Sequence, residues 1–204
     1  MDGLIIKTFA LGELCANCYI VYDRLTRKGF IVDLPLFPVQ ISRYIEENKI
    51  EISSVLLTHG HFDHTGGLDA SPYPFYIHEK DSAFLLNPEL NGSVYFGNSF
   101  SVKKKPLVFS GKNIKILDNR NLEIIHTPGH TPGSVSFKID GLIFSGDTLF
   151  AGSIGRTDLP LASHKELTES IKNKIFTSGE ETLIYPGHGI PTSVGNEIRT
   201  NPFL

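Results

Sequence analysis

The sequence predicts a layered α/β fold, and three observations carry that expectation. Short apolar runs bounded by turn residues recur along the chain, amphipathic helical patterns lie between some of them, and their order is mixed rather than strictly alternating. The runs are Leu4–Ile6, Cys18–Tyr22, Phe30–Val32, Val55–Leu57, Phe75–Ile77, Leu122–Ile125, Val135–Ile139, Leu142–Phe144 and Thr182–Tyr185, and several are apolar on both faces. Residues 38–49 place Ile41, Tyr44, Ile45 and Asn48 on one helix face, with Pro38 suited to a first helical turn. Residues 164–176 space Leu167, Ile171 and Ile175 four apart, and Ser163 with Glu166 forms a capping box.

The stretch 87–113 fits neither period. Its Asn-Pro, Asn-Gly, Gly-Asn and Ser-Gly pairs surround Phe96 and Phe100 and lead to Lys103-Lys104-Lys105. This reads as a long surface loop of the kind that shapes a substrate mouth. The lysines read as a solvated charge run, with attraction of an anionic substrate as the alternative.

No repeat or Gly/Ser-rich linker divides the 204 residues, so residues 1–204 are expected to form one domain. A formal net charge of −3 gives no electrostatic reason to expect nucleic acid or an anionic membrane as partner. No run approaches the roughly 20 apolar residues of a membrane helix, and the start does not read as a signal peptide. The expected location is therefore the cytoplasm. The pair Cys15 and Cys18 lacks further nearby ligands for a structural zinc site and precedes a strand, unlike a thioredoxin-type dithiol. Both are expected to be free thiols, buried or half-buried.

The chemistry is concentrated in Thr58-His59-Gly60-His61-Phe62-Asp63-His64, which follows the apolar run Val55-Leu56-Leu57. Alternate residues of an extended segment point the same way, so His59 and His61 can converge on one cation. Asp63 and His64 then face elsewhere as the chain turns, and one loop can serve two adjacent centres. With 8 His and 10 Asp in the chain, this pattern arises by chance roughly once per thousand such sequences. Three further polar residues sit just past apolar runs and beside glycine: His130 in Thr127–Thr131, Asp147 in Phe144–Thr148 and His188 in Ile184–Gly189. Imidazole and carboxylate donors together suit zinc, iron or manganese better than calcium or magnesium. Asp33, which ends the run Phe30–Val32, is the best candidate to support a ligand from behind. His78, His126 and His164 read as ordinary strand-end and helix-start residues, with support of His130 as the alternative for His126.

With these motifs in view, the sequence resembles the metallo-β-lactamase superfamily and, within it, the short glyoxalase II-like hydrolases. The resemblance runs from Asn17-Cys18-Tyr19 through Thr58–His64, Thr127–Ser134 and Gly146–Asp158 to Pro186–Gly189 and the final Arg199–Leu204. It implies a four-layered αββα sandwich with a dinuclear site along one edge. His59, His61 and His130 would hold a first divalent ion, Asp63, His64 and His188 a second, and Asp147 would bridge them. Zinc is the expected metal, with iron or manganese as alternatives. Asp63, His64 and Asp147 are the expected catalytic residues, and the expected substrate is a small hydroxyacyl thioester attacked by metal-activated water. Arg156 and Asp158 either orient the loop of Asp147 or pair at the surface. Full-length glyoxalase II enzymes carry a C-terminal helical region that grips glutathione. The sequence here ends soon after His188, so glutathione need not be the carrier.

Two rival expectations remain. A mononuclear iron persulfide dioxygenase would use His59, His130 and Asp147 and leave positions open for oxygen. A non-catalytic metal-binding module would keep the ligands without turnover. β-Lactam and RNA cleavage also occur on this fold, but neither a secretion signal nor an added nucleic-acid-binding domain supports them. The sequence is silent on oligomeric state.

Overall fold

The computed structural model describes residues 3–109, 112–117 and 120–204. The chain first lays down an antiparallel meander, β1 (Leu4–Leu11), β2 (Ala16–Asp23) and β3 (Lys28–Val32). Helix α1 (Val39–Glu47) then carries it across to β4 (Glu51–Leu56), which pairs parallel to β3. A parallel pair cannot be closed by a tight turn, so the amphipathic segment between the strands has to serve as crossover. After the single-turn helix α2 (Phe62–Thr65), strands β5 (Phe75–Ile77) and β6 (Leu107–Val108) extend the parallel half, giving the order β1-β2-β3-β4-β5-β6.

The second sheet repeats the plan of meander, helical crossover and parallel strand. Strands β7 (Asn113–Leu117), β8 (Arg120–His126), β9 (Val135–Ile139) and β10 (Leu142–Gly146) form an antiparallel meander. The small hairpin β11 (Leu149–Phe150) and β12 (Ser153–Ile154) follows, then α3 (His164–Ser170), which runs on through a π-helical turn at Ile171–Ile175. Strand β13 (Leu183–Pro186) returns parallel to β10, and β14 (Thr192–Ser193) leads into α4 (Val194–Thr200). The order in this sheet is β14-β13-β10-β9-β8-β7.

The layering follows from the two-residue period of the strands. In β2, Cys18, Ile20 and Tyr22 face α1 with Ile41 and Ile45, while Tyr19 and Val21 face the other sheet. In β3, Ile31 joins the helix side, and Phe30 and Val32 meet Leu122, Val135, Phe137, Ile139 and Phe144. Across the second sheet, Ile143 and Ile184 cover Leu167, Ile171, Ile175 and Val194. Three apolar seams between four layers make the αββα sandwich. Both faces of the central strands are buried, which is why their sequences read as unbroken apolar runs.

Differences from the sequence reading are local. Pro38 is the N-cap of α1 rather than a residue of its first turn. Only half of the capping box forms: the Ser163 hydroxyl accepts from Glu166 N, while Ser163 N donates to Gly129 O at 2.7 Å. Within 87–109 the expected surface loop is tied down. It holds a 3-10 turn at Ser93–Phe96 and strand β6, with Asn91, Ser93 and Val102 buried. The expectation for its Ser110-Gly111 pair lies outside the described residues.

The intersheet seam sets stability. Phe137 is fully buried there with its ring 5.6 Å from that of Phe109. Phe137→Ala is expected to cost about 3–5 kcal/mol in urea unfolding, whereas Leu25→Ala, at a position 87% exposed, should stay within about 0.5 kcal/mol.

Candidate metal centre

Four loops reach one end of the intersheet seam, each leaving the carboxyl end of a strand: β4 for His59–His64, β8 for His130, β10 for Asp147 and β13 for His188. Glycines allow the backbones to close in. A Cβ at Gly60 would lie 2.5 Å from Phe84 Cβ, and one at Gly187 would collide with Asp147 Oδ1. The extended His59–His61 segment gives way to α2 directly after His61, so Asp63 and His64 turn away from the first pair.

The seven predicted side chains come together as two overlapping groups. His59, His61 and His130 form one, all buried, with their ligand atoms within 4.8 Å of one another. His61 Nδ1 lies 2.8 Å from His130 Nε2. Asp63, His64 and His188 form the other under the same limit. Here His188 Nε2 is 3.3 Å from both Asp63 Oδ2 and His64 Nε2. Asp147 stands between them: Oδ2 is 3.6 Å from His130 Nε2 and from His188 Nε2, and Oδ1 is 3.3 Å from His64 Nε2.

The outer nitrogens fix which ring atoms face inward. His130 Nδ1 donates to Arg156 O at 2.9 Å, His188 Nδ1 to Leu14 O at 3.0 Å and His64 Nδ1 to Asp33 Oδ2 at 2.9 Å. The Thr58 hydroxyl donates to Asp33 Oδ2 at 2.7 Å and so accepts from His59 Nδ1 at 3.0 Å. Each of these histidines then presents a bare Nε2 to the shared space. His59 Nε2 and Asp147 Oδ1 are buried without a hydrogen-bond partner, a costly state unless something else satisfies them. His61 Nε2 is likewise buried and unpartnered.

Electrostatics separates the groups. Burial and the neighbouring imidazoles hold His59 well below the usual histidine pKa, and burial brings His61 down to about 3, so both stay neutral lone-pair donors. Burial also works against a charged His64, but Asp147, Asp63 and Asp33 outweigh it and push its pKa well up. The second group is thus a pocket of negative potential that calls for a cation. Buried neutral imidazoles beside buried, unpartnered carboxylate oxygen are what divalent metals of the zinc, iron or manganese kind take as ligands. The residues present fit such ions.

Asp33, placed at the end of β3 with a φ of 54°, does support His64 as the sequence suggested. It also lies within ligand-like distance of His59 and His64, yet it already accepts from Thr58 N, Thr58 Oγ1 and His64 Nδ1, which makes it a holder rather than a ligand. Asp81 was missed. Fully buried, it accepts from Gly60 N at 3.0 Å, Thr131 Oγ1 at 2.7 Å and Gly133 N at 2.7 Å, tying the His59–His61 loop to that of His130.

His126 does not support His130: its Nε2 donates to Pro132 O, and its ring stacks on His78 at 4.4 Å. The side chains of Arg156 and Asp158 pair at the surface through hydrogen bonds of 2.7 and 2.8 Å, while the carbonyl of Arg156 orients His130. Cys18 is buried as expected but Cys15 is exposed, because it occupies a left-handed turn with φ 52° just before β2. Lys103, Lys104 and Lys105 are exposed and away from the centre, and Lys104 Nζ is engaged by the carbonyls of Leu68 and Ser71. No helix among the described residues is long and apolar enough to cross a membrane.

A cleft of about 370 Å³ opens onto the centre, walled by Leu14, Phe62, Phe96, Phe150, Ile154 and Leu159. It is a mostly apolar mouth over a charged floor, the usual form of a small-molecule site.

Comparison with known proteins agrees with this geometry. The family model of the Metallo-beta-lactamase superfamily matches residues 12–188. The chain is 40% identical to the "probable metallo-hydrolase YqgX" of Bacillus subtilis, covering 97% of this chain and 96% of that protein. It is 35% identical to the hydroxyacylglutathione hydrolase GloC of Haemophilus influenzae, covering 92% of each. Among solved structures, the B3 metallo-beta-lactamase BLEG-1 superposes with a TM-score of 0.92 at 36% identity, over 98% of this chain and 99% of that one. The di-iron-bound form of TTHA1623 gives 0.81 at 32%, over 97% and 100%. ETHE1 from Myxococcus xanthus gives 0.74 at 25%, over 97% and 83%.

Divalent metal should stabilise the fold, because ions that bind only the folded state raise its stability by mass action. At a concentration about 100 times the dissociation constant the gain is about 2.7 kcal/mol, or roughly 5–10 °C in Tm for a chain of this size. Asp33→Ala should weaken metal binding about 10–100-fold and cut that rise by at least half. Differential scanning fluorimetry with and without zinc measures both, and an undiminished rise in the variant contradicts the assignment of Asp33 as holder.

Proposed function

Since the chain belongs to the Metallo-beta-lactamase superfamily, we propose that it hydrolyses a small hydroxyacyl thioester, with two divalent ions, zinc in the first instance, held by the seven converging side chains. The observation that carries this reading is the complete second group, Asp63, His64 and His188, joined to the first by Asp147. A carboxylate has two oxygens and can span both ions, which an imidazole cannot. Similarity to GloC supports the thioester as substrate class.

When bound, the divalent ions supply Lewis acidity, acidifying water towards a pKa of about 7 and withdrawing charge from a carbonyl oxygen. The chain's own residues do the rest. Asp63 lines the cleft, and although burial opposes its charge, His64 and His188 hold it ionised. It is therefore placed to take a proton from water and to orient that water towards the carbonyl. Water adds to the carbonyl, the C–S bond breaks with its electron pair on sulfur, and a carboxylic acid and a thiol result. A thiol has a pKa of about 8.5, so the departing thiolate needs no general acid. The apolar wall keeps bulk water from the reacting group.

A second reading has its own observation. His59, His130 and Asp147 also converge, the set for a mononuclear iron persulfide dioxygenase, and the likeness to ETHE1 keeps that reaction in view. The likeness to BLEG-1 does the same for β-lactam cleavage.

Metal counting tests the ligand assignment. Asp147→Ala should lose both equivalents of metal, whereas His188→Ala should lose one. Equal losses would show the bridge to be misassigned.

One metal-loaded preparation separates the reactions. Thiol release from a lactoyl thioester is expected, without oxygen uptake on glutathione persulfide and with little cleavage of a chromogenic cephalosporin. Asp63→Asn should lower thiol release at least about 100-fold. Rapid oxygen uptake by iron-loaded protein, with thioesters left intact in every metal form, would replace this reading with the dioxygenase one.

A further inference from the structure

The cleft over the metal centre has a neighbour. Past the wall formed by Leu14, Phe62 and Phe96, a second hollow of about 370 Å³ shares with it that wall and Asp63. The rings of Phe62 and Phe96 stand 5.2 Å apart at the junction. A group held at the metal centre therefore has this second lobe beside it, across Phe62, Phe96 and Asp63.

The floor and far side of the lobe are Pro35, Leu36 and Phe100. Leu36 and Phe96 are 45% and 49% exposed, apolar surface that an extended ligand would cover. Asn98 supplies an uncharged polar contact. The ionisable groups that line the lobe among the described residues are Glu13 and Asp63, both acids. In the first lobe the guanidinium of Arg156 is already engaged by Asp158 through two hydrogen bonds. Lys103 to Lys105, the nearest run of cations in the loop that supplies Phe100, do not line either lobe.

From this we infer that the second lobe is the subsite for the thiol arm of the substrate, and that it selects an uncharged, largely apolar arm over an anionic one. With Asp63 spent on the metal, a carboxylate placed there meets Glu13, and among the described residues no basic side chain lines the lobe to offset it. An amide-and-alkyl arm finds apolar cover from Leu36 and Phe100 and a hydrogen-bonding side chain in Asn98. Repulsion by one exposed acid such as Glu13, at about 6 Å in water-like surroundings, corresponds to roughly threefold in affinity. The inference rests on the thioester reading for the identity of the arm, but the selection against negative charge follows from the lining alone.

The test uses binding rather than turnover. Two stable thioethers with the same arm on the acyl side, S-(2-hydroxypropyl)-N-acetylcysteamine and S-(2-hydroxypropyl)glutathione, are titrated into zinc-loaded, nitrogen-labelled protein and followed by NMR. The neutral compound should bind at least about threefold tighter and shift the amides of Leu36 and Phe100. Leu36→Lys, which places a cation in the lobe at an exposed position, should reduce or reverse that preference. Equal or tighter binding of the glutathione compound to the unaltered protein, or a preference unmoved by Leu36→Lys, overturns the inference whatever thioesters the enzyme cleaves. The stated preference in a protein that cleaves no thioester would instead leave the subsite standing and remove the hydrolase reading.

Discussion

Three donors from the start of β2 end on the backbone of the His188 loop. Asn17 N donates to Gly187 O at 2.7 Å, the Asn17 amide to the carbonyls of Pro186 and Gly189 at 3.0 Å, and the Tyr19 hydroxyl to Pro186 O at 2.5 Å. Ala16 bridges to His188 itself. This clasp joins the two sheets at the end of the seam where the ligand loops emerge. His188 and Asp147 belong to one sheet and the His59–His64 loop to the other, so the two halves of the centre stay in register only while the sheets are held together here. Val135 N on Thr58 O, at 2.8 Å, makes a second tie in the same region, and Asp81 a third. Much of the polar hydrogen bonding at this end serves to hold loops, which leaves the inward nitrogens and the Asp147 oxygen free.

That division of labour has an electrostatic consequence. Gathering five imidazoles and two carboxylates in a buried space is costly unless the charges are compensated. The structure assigns the cost unevenly. In the first group burial keeps His59 and His61 neutral, and they offer lone pairs but little field. The second is surrounded by Asp33, Asp63 and Asp147 and offers a strong field. Two neighbouring ions in such surroundings would not be equivalent: the field of the carboxylates offsets more of the positive charge at the second position, leaving the ion at the first the stronger Lewis acid.

Much of this was legible in the chain because ligands and core obey short-range rules. The His59–His64 pattern, the glycine-flanked His130, Asp147 and His188, and the apolar runs of the central strands can each be read from a few neighbouring residues. What escaped is what depends on distant partners. Asp81 sits in Glu79-Lys80-Asp81, which looks like surface charge, and only the fold brings Gly60, Thr131 and Gly133 onto it. His130 is oriented by a carbonyl, and a carbonyl has no signature in sequence. Helix α4 was not expected because Val-Gly-Asn is poor helix sequence. It is held instead by the buried Glu197, which accepts from Gly152 N, Thr192 Oγ1 and Asn201 Nδ2. Strand β7 is different: Asn113–Leu117 alternates polar and apolar residues, and a stricter count of the period would have found it.

The same separation explains why ligand residues cannot name the substrate. Proteins whose names speak of a hydroxyacylglutathione hydrolase and of a B3 metallo-beta-lactamase both share about a third of this sequence. The ligand loops leave strands of the two sheets, at the ends of β4, β8, β10 and β13, where the packing of both sheets restricts change. Apart from Phe62, the walls of the two lobes come mostly from elsewhere: the β1–β2 turn at Gly12–Leu14, Pro35 and Leu36 after β3, the segment from Asn91 to Phe100, and the stretch from Phe150 to Leu159. These are connections with few side chains in the seams; the carbonyls of Leu14 and Arg156 within them orient His188 and His130, but a backbone carbonyl can stay in place while the side chains around it change in charge and shape. On the proposed reading, substrate choice in this chain would rest with Glu13, Leu36, Phe96 and Phe100 and their neighbours, through the charge and shape they present to whatever arm leaves the metal centre.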